Sequence, residues 1–167
     1  MDQAAQQGLL DAATRVDFAR NALVVIVPAD ARNTPRSLAD LDTAAYVRIA
    51  IGTPASVPVG RYTRAALEQA GLWAAIEAKM IGAQSVRQAL DYAVRGEVEA
   101  GFVYATDAAL MADKVRVAFA VATARPVLYP IARIAVGSDA ALARRFIAYV
   151  LSAPAQSVLV RDGFARP

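Results

Sequence analysis

The segment Val47-Arg-Ile-Ala-Ile51 leads through Gly52-Thr-Pro-Ala-Ser-Val-Pro-Val-Gly60 into a helical stretch that ends at Ala70. The largely apolar run predicts a strand, and Gly71 closes the predicted helix. The turn between them lies beyond the carboxyl end of the strand, where open α/β sheets bind their ligands. Gly60 would also allow the backbone to approach a ligand closely. This segment therefore predicts an α/β fold with a ligand site at one edge of its sheet.

The same alternation of strand and helix continues along most of the chain. Strands are predicted at Leu23–Val27, Val47–Ile51, Lys79–Ile81, Ala100–Tyr104, Val115–Val121 and Val127–Val136. Helices are predicted at residues 2–7, Leu38–Leu41 with Ser37 as N-cap, Gly60–Ala70, Leu72–Ala78, Val86–Arg95, Thr106–Met111, Asp139–Leu151 and from Pro154 onward. This order predicts an α/β fold with a mostly parallel sheet.

The composition excludes several function classes. The 167 residues include no Cys and no His, which excludes zinc sites built on those ligands, thiol catalysis and a Ser-His-Asp triad. The net charge of +3 is scattered without a block of like sign, so no nucleic-acid partner is expected. The longest apolar runs, Ala22–Pro28 and Val117–Ala122, fall far short of the roughly 20 residues that a membrane-spanning helix needs.

Two predicted helix starts and one strand end supply neutral hydrogen-bond donors. The segments Ser56-Val-Pro-Val-Gly-Arg-Tyr62 and Ser85-Val-Arg-Gln-Ala-Leu90 open helices, whose first N–H groups lack intrahelical acceptors. The strand in Ala100-Gly-Phe-Val-Tyr-Ala-Thr-Asp107 ends at Tyr104, which offers an O–H. Together these donors predict a pocket for a small oxyanion. Each also has an ordinary interpretation, as a strand–helix connection, an N-cap at Ser85, or a core or rim tyrosine.

The acidic residues do not suggest catalysis or a metal site. Glu97 and Glu99 lie at a predicted helix–strand turn, where a solvated turn is the simplest interpretation. Asp40 and Asp42 are also interpreted as turn residues, and no metal-ligand spacing is present. We therefore expect no cofactor and no catalytic group.

Six segments, in order and combination, resemble the periplasmic molybdate-binding proteins of ABC importers, which belong to the type II periplasmic binding proteins. The segments are Asn21-Ala-Leu-Val-Val-Ile-Val-Pro28, Val57-Pro-Val-Gly60, Tyr62-Thr-Arg-Ala-Ala-Leu67, Val86-Arg-Gln-Ala-Leu90, Gly101-Phe-Val-Tyr-Ala-Thr-Asp107 and Arg161-Asp-Gly-Phe164. The resemblance covers nearly the whole chain. It implies an oxyanion held between two lobes, with the backbone N–H groups of Val59 and Val86 and the hydroxyl of Tyr104 as the ligands from the second lobe. The family commonly has Ala at position 59, and this change leaves the backbone donor in place.

The resemblance also implies a division of the chain into lobes. The expected parts are the end of the first lobe at residues 1–22, a crossing strand at 23–28, a complete second lobe at 29–128, a return strand at 129–136, and first-lobe helices at 137–167. The strands of the first lobe and both of its serine-bearing loops are expected to be missing. The isolated chain is therefore expected to bind its ligand poorly.

The function that the resemblance implies is binding of molybdate, and of tungstate, in the periplasm for delivery to an ABC permease. No enzyme activity and no metal beyond the oxyanion are expected. Two alternatives stay open: a type II binding-fold protein for another small anion or metabolite, and the sensor domain of a regulator. Self-association is also expected for two reasons. Leu142, Phe146, Ile147 and Val150 share one predicted helix face, and the strands 23–27 and 129–136 would each leave a face uncovered.

Overall fold

The computed structural model describes residues 1–137 and 139–167, and its elements follow the predicted alternation over most of the chain. The strands are β1 (Val16–Asn21), β2 (Leu23–Pro28), β3 (Ile49–Gly52), β4 (Met80–Ala83), β5 (Ala100–Tyr104), β6 (Val115–Ala120) and β7 (Val127–Ile131). The α-helices are α1 (Asp2–Gln6), α2 (Pro58–Gln69), α3 (Trp73–Glu77), α4 (Val86–Val94), α5 (Ala105–Ala109), α6 (Ala140–Leu151) and α7 (Ala153–Arg161). The α/β class is confirmed. The elements form two units, a central unit (Ala22–Pro126) and a terminal unit (Met1–Asn21 with Val127–Pro167).

The central unit contains a five-stranded sheet in the order β4-β3-β5-β2-β6. Strand β3 runs parallel to β4 and β5, whereas β2 runs antiparallel to β5 and β6. The sheet is therefore mixed, and the expectation of a mostly parallel sheet holds only for β4, β3 and β5. Parallel neighbours need a crossover connection, which is usually helical, and helices α2, α3 and α4 supply it between β3, β4 and β5. Strand β2 lies between β5 and β6 and runs antiparallel to both.

Strand β2 is buried along its whole length because both of its faces are covered. Successive side chains point to opposite faces of a strand. Leu23, Val25 and Val27 belong to one apolar cluster, with Phe102 on the neighbouring strand β5, and the intervening Val24 and Ile26 belong to a second cluster. Each such buried side chain stabilises the fold by roughly 1.5–3 kcal/mol. The expectation that this strand leaves an apolar face uncovered is wrong.

The terminal unit contains the antiparallel pair β1 and β7 together with α1, α6 and α7. Strand β1 was not predicted, because Val16-Asp-Phe-Ala-Arg-Asn21 is short and interrupted by charged residues. Gln156 of α7 is buried and its Nε2 donates to the carbonyl oxygens of Phe18 (2.9 Å) and Val150 (3.0 Å). This amide therefore ties α7 to β1 and to the end of α6.

The predicted helix at Leu38–Leu41 is wrong. This region forms a single 3-10 turn at Ala39–Asp42, and Ser37 does not cap it. Instead, the carboxylate of Asp40 accepts the backbone N–H groups of Arg36 (2.7 Å) and Ser37 (3.2 Å). The acidic side chain folds back on the preceding loop and replaces the expected cap.

The chain passes between the two units after Asn21 and again after Pro126. The strand expected to cross between lobes, residues 23–28, lies wholly within the central unit as an interior strand. Strand β7 ends at Ile131, earlier than the predicted end at Val136. The division into lobes stays a prediction. Among the helices formed by residues 1–137 and 139–167, none is long and apolar enough to cross a membrane.

Candidate oxyanion site

Val59, Val86 and Tyr104 line one cavity of about 280 Å³ in the central unit. The other residues that line it are Ser56, Val57, Pro58, Gln84 and Ser85. The three predicted residues come together because α2 follows β3, α4 follows β4, and Tyr104 ends β5. These three strands are parallel neighbours, so their carboxyl ends meet at the same edge of the sheet. Sequence reasoning had selected each residue separately, and the sheet topology assembles them.

The start of α2 places a backbone donor in a residue that lines the cavity. Val57 is extended (φ −108°, ψ 123°) and Pro58 occupies the first turn, where its missing N–H costs nothing. The N–H of Gly60 bonds to the carbonyl oxygen of Val57 at 3.1 Å. Within the described residues, the N–H of Val59 has no acceptor. Val59 is therefore a backbone donor, and its side chain is buried in the core.

The close approach that Gly60 permits is to the protein itself, not to a ligand. A Cβ built on Gly60 would lie 1.8 Å from the carbonyl oxygen of Gly52 and 2.6 Å from its carbonyl carbon. Gly60 thus lets the first turn of α2 pack against the end of β3. This corrects the prediction that Gly60 lets the backbone approach a ligand. Gly60 affects the site only indirectly, through the packing of α2.

Two hydrogen bonds between side chains and backbone N–H groups cap the start of α4. Ser85 is extended, and its Oγ accepts the N–H of Gln88 at 3.1 Å, which confirms it as the N-cap. The Oε1 of Gln88 accepts the N–H of Gln84 at 2.6 Å. These bonds leave the N–H groups of Val86 and Arg87 without an acceptor among residues 1–137 and 139–167. The capping therefore fixes the helix start while keeping two donors available.

Among residues 1–137 and 139–167, none with a charged side chain lines the cavity. The donors are neutral N–H and O–H groups, and the first turns of α2 and α4 add the positive ends of their helix dipoles. Ser56 and Gln84 add a hydroxyl and an amide to the wall, and sequence reasoning did not select them for the site. A signal for Gln84 was present, because Ser85 and Gln88 have the spacing of a capping box.

A second cavity of about 460 Å³ is lined by Pro58, which it shares with the first cavity, and by two arginines, Arg61 and Arg125. Its remaining lining residues are Tyr62, Ala65, Thr123 and Ala124. Neither arginine makes an ion pair with a described residue, whereas Arg64 on the same helix pairs with Glu68 at 2.7 Å. The start of α2 therefore carries uncompensated positive charge beside the candidate site.

Glu99 is a structural residue and not simply part of a solvated turn. Its carboxylate accepts the N–H groups of Val47 (3.1 Å) and Arg48 (2.6 Å) and pairs with the Arg48 guanidinium at 2.8 Å. In the part of the chain that the structure describes, no group of three or more His, Cys, Asp or Glu residues could hold a metal ion.

Comparison with known proteins gives a family match over residues 1–165, to the bacterial extracellular solute-binding proteins. The molybdate-binding protein ModA of Escherichia coli is 32% identical over 174 residues, which cover 98% of this chain and 65% of that protein. ModA of Mycobacterium tuberculosis is 35% identical over 168 residues, which cover 100% of this chain and 62% of that protein. The chain thus spans less than two thirds of the length of these curated relatives.

A solved structure, the substrate-binding domain assigned to a molybdenum ABC transporter from Clostridium difficile, matches with a TM-score of 0.89 and 28% identity. That match covers 100% of this chain and 72% of the other. The periplasmic molybdate-binding protein of Azotobacter vinelandii has the same fold, with a TM-score of 0.75 over 99% of this chain. The chain belongs to the family of bacterial extracellular solute-binding proteins.

Proposed function

We propose that the protein containing this chain binds molybdate and delivers it to an ABC importer. The observation that carries the proposal is the meeting of Val59, Val86 and Tyr104 in one cavity, whose described lining residues are all uncharged. The names of the curated relatives support molybdate as the ligand. Binding of tungstate, a membrane permease as partner and a periplasmic location are parts of the same proposal.

The chemistry of the cavity suits a tetrahedral dianion. Each hydrogen bond from a neutral donor to a charged oxygen is worth roughly 1.5–3 kcal/mol. The N–H groups of Val59 and Val86 come from two helix starts, so both dipoles favour negative charge at the same point. A site made only of donors disfavours protonated phosphate, because the O–H of that ligand would face another donor. We propose that size then separates molybdate from the smaller sulfate.

Binding by the isolated chain should be weak. We propose that the remaining donors belong to a lobe outside this chain, so that water occupies the other side of the anion. Closure over the ligand is then incomplete, and water screens the hydrogen bonds. Micromolar or tighter binding by the 167-residue chain would contradict this part of the proposal.

The test is a nitrogen-15 NMR titration of the chain, which detects weak binding residue by residue. Molybdate, tungstate, sulfate and phosphate are added separately at constant ionic strength. We expect molybdate and tungstate to shift the amide signals of Val59, Val86 and Arg87 in a saturable way, with smaller shifts for sulfate and phosphate. If phosphate or sulfate shifts these amides and molybdate does not, the site belongs to another anion and the proposal is wrong.

A further inference from the structure

Asp107 connects the two elements that bring Val86 and Tyr104 to the cavity. It lies on α5, and its side chain is only 9% exposed. Its Oδ1 lies 3.0 Å from the Nε of Arg87, the residue that follows Val86 on α4. The backbone N–H of Tyr104 also acts on this carboxyl group, whose pKa it lowers. One buried carboxylate thus interacts with the first turn of α4 and with the end of β5.

The interaction of the Asp107 carboxyl group with the N–H of Tyr104 follows from the position of Asp107 in its own helix. Tyr104 is the N-cap of α5 and Asp107 is the third residue of that helix. An acidic side chain at this position commonly accepts the N–H of the N-cap residue, as one half of a capping box. The ion pair with Arg87 has no such local cause, because it joins residues that are far apart in the sequence. The same carboxylate therefore interacts with its own helix and with the helix that carries Val86.

We propose that Asp107 is a positioning residue of the oxyanion site, which fixes the donor of Val86 relative to the hydroxyl of Tyr104. This inference rests on the proposed function, since it assigns the residue to that site. Asp107 is not among the described residues that line the cavity. It acts through Arg87 and through the backbone of Tyr104.

Positioning and simple charge repulsion predict opposite changes in anion affinity when the carboxylate of Asp107 is removed. A carboxylate near an anion site repels the ligand, so its removal would strengthen binding if charge alone mattered. Burial raises the pKa of Asp107, while the charge and hydrogen bond of Arg87 and the N–H of Tyr104 oppose that rise. Positioning predicts the opposite result, in which removal of the negative charge weakens the binding of a dianion.

The experiment compares Asp107→Asn with Glu99→Gln. Both variants remove one negative charge, and in both the lost carboxylate pairs with an arginine, Arg87 or Arg48. Glu99 precedes β5, whereas Tyr104 ends that strand, so the control alters the far end of the same strand. We expect Asp107→Asn to weaken molybdate binding roughly tenfold in the NMR titration, as loss of outer-shell partners does at metal sites. Glu99→Gln should bind as the unsubstituted chain does.

Arg87→Lys serves as the second variant, in case Asp107→Asn does not fold. This substitution keeps the charge and removes the planar guanidinium group from an exposed side chain. It should weaken molybdate binding if Asp107 acts by positioning and leave it unchanged if only charge matters. Stronger binding by Asp107→Asn, or unchanged binding by both variants, would overturn the inference.

A measurement without ligand separates this inference from the proposed function. In the free chain, Asp107→Asn should shift the amide signals of Val86 and Tyr104 together, while Glu99→Gln should leave both signals in place. If these two amides do not respond, Asp107 does not position them, whatever the chain binds. If they respond but molybdate shifts no amide in the unsubstituted chain, the positioning stands and the proposed ligand is wrong.

Discussion

The first turn of α2 packs so closely on the end of β3 that a Cβ on Gly60 would lie 1.8 Å from the carbonyl oxygen of Gly52. The contact is with backbone, which cannot rotate away as a side chain could. Gly60→Ala should therefore displace the start of α2 and destabilise the chain by roughly 1–3 kcal/mol, as overpacking does in cores. Urea unfolding would measure the loss.

Gly82→Ala is the matched control for this prediction. The nearest atoms to a Cβ at Gly82 are 3.6 Å and 4.0 Å away, and both belong to side chains. We expect its free energy of unfolding to stay within about 0.5 kcal/mol of that of the unsubstituted chain. Equal losses of stability in the two variants would mean that the close approach of Gly60 to Gly52 does not make Gly60→Ala destabilising.

Tyr104→Phe should weaken molybdate binding by about one to two decades. The substitution removes one O–H donor to a charged ligand, a loss of roughly 1.5–3 kcal/mol, and leaves the ring in place. Tyr92→Phe is the control, because Tyr92 lies on α4 and does not line the cavity. The NMR titration with molybdate measures both, and equal affinities for Tyr104→Phe and the unsubstituted chain would remove this hydroxyl from the site.

Val86→Pro should remove one backbone donor while preserving the helix. Position 86 begins α4, where proline is tolerated, and Ser85 is extended (φ −157°, ψ 163°), as the residue before a proline prefers. Molybdate binding should fall by roughly tenfold or more. Val86→Ala keeps the N–H and should bind almost normally. A folded proline variant with unchanged affinity would show that the Val86 N–H does not reach the anion.

Sequence patterns predict the elements of this fold better than the directions of its strands. The uniform apolar run at residues 23–28 predicts a buried strand, and the structure agrees. The same run does not reveal that β2 pairs antiparallel with both neighbours, since periodicity contains no information about the direction of the partner. Strand β1 was missed because a short, charge-interrupted segment becomes a strand only through its pairing with β7.

The residues that line the candidate site could be predicted from the sequence, but the residues that hold them in place could not. Helix starts and a strand-end tyrosine are local features, and they selected Val59, Val86 and Tyr104. The ion pair between Asp107 and Arg87 depends on tertiary packing between α5 and α4, so it cannot be predicted from the spacing of residues in the sequence. For the same reason, Gly60 was assigned to a ligand although it meets the backbone of β3.

The pairing of Glu99 with Arg48 should make stability depend on pH in a defined direction. Burial alone would raise the pKa of Glu99, but the hydrogen bonds and charge of Arg48 and the N–H of Val47 outweigh it and lower the pKa below 4.5. A carboxyl whose pKa is lowered by folding stabilises the fold above its unfolded-state pKa, and this contribution is lost as the pH falls through the folded-state value. Glu99→Gln should therefore lower the free energy of unfolding near pH 7 and have a smaller effect at about pH 3. Urea unfolding at both pH values tests this, and an equal loss at both would contradict it.

Helix α6 should cause the chain to self-associate. The face predicted from the sequence is divided in the structure, because Ile147 is buried while Leu142 and Phe146 are each 58% exposed. Tyr149, at 61% exposure, continues the exposed stripe at helical spacing. Because β2 is fully covered, it does not support self-association, whereas this stripe on α6 does. We expect a second copy of the chain to cover the stripe.

Light scattering at micromolar concentration should therefore give a mass above the 17.6 kDa of one chain. Leu142→Ser combined with Phe146→Ser should restore the monomer, because these changes remove the apolar area that association would bury. Val117→Ser, at a half-exposed position on β6, is the control and should leave the mass unchanged. Sulfate should strengthen the association, since apolar burial is favoured by that salt while ion pairs are screened by it. A 17.6 kDa monomer that persists in sulfate would show that the stripe on α6 is exposed without a partner copy.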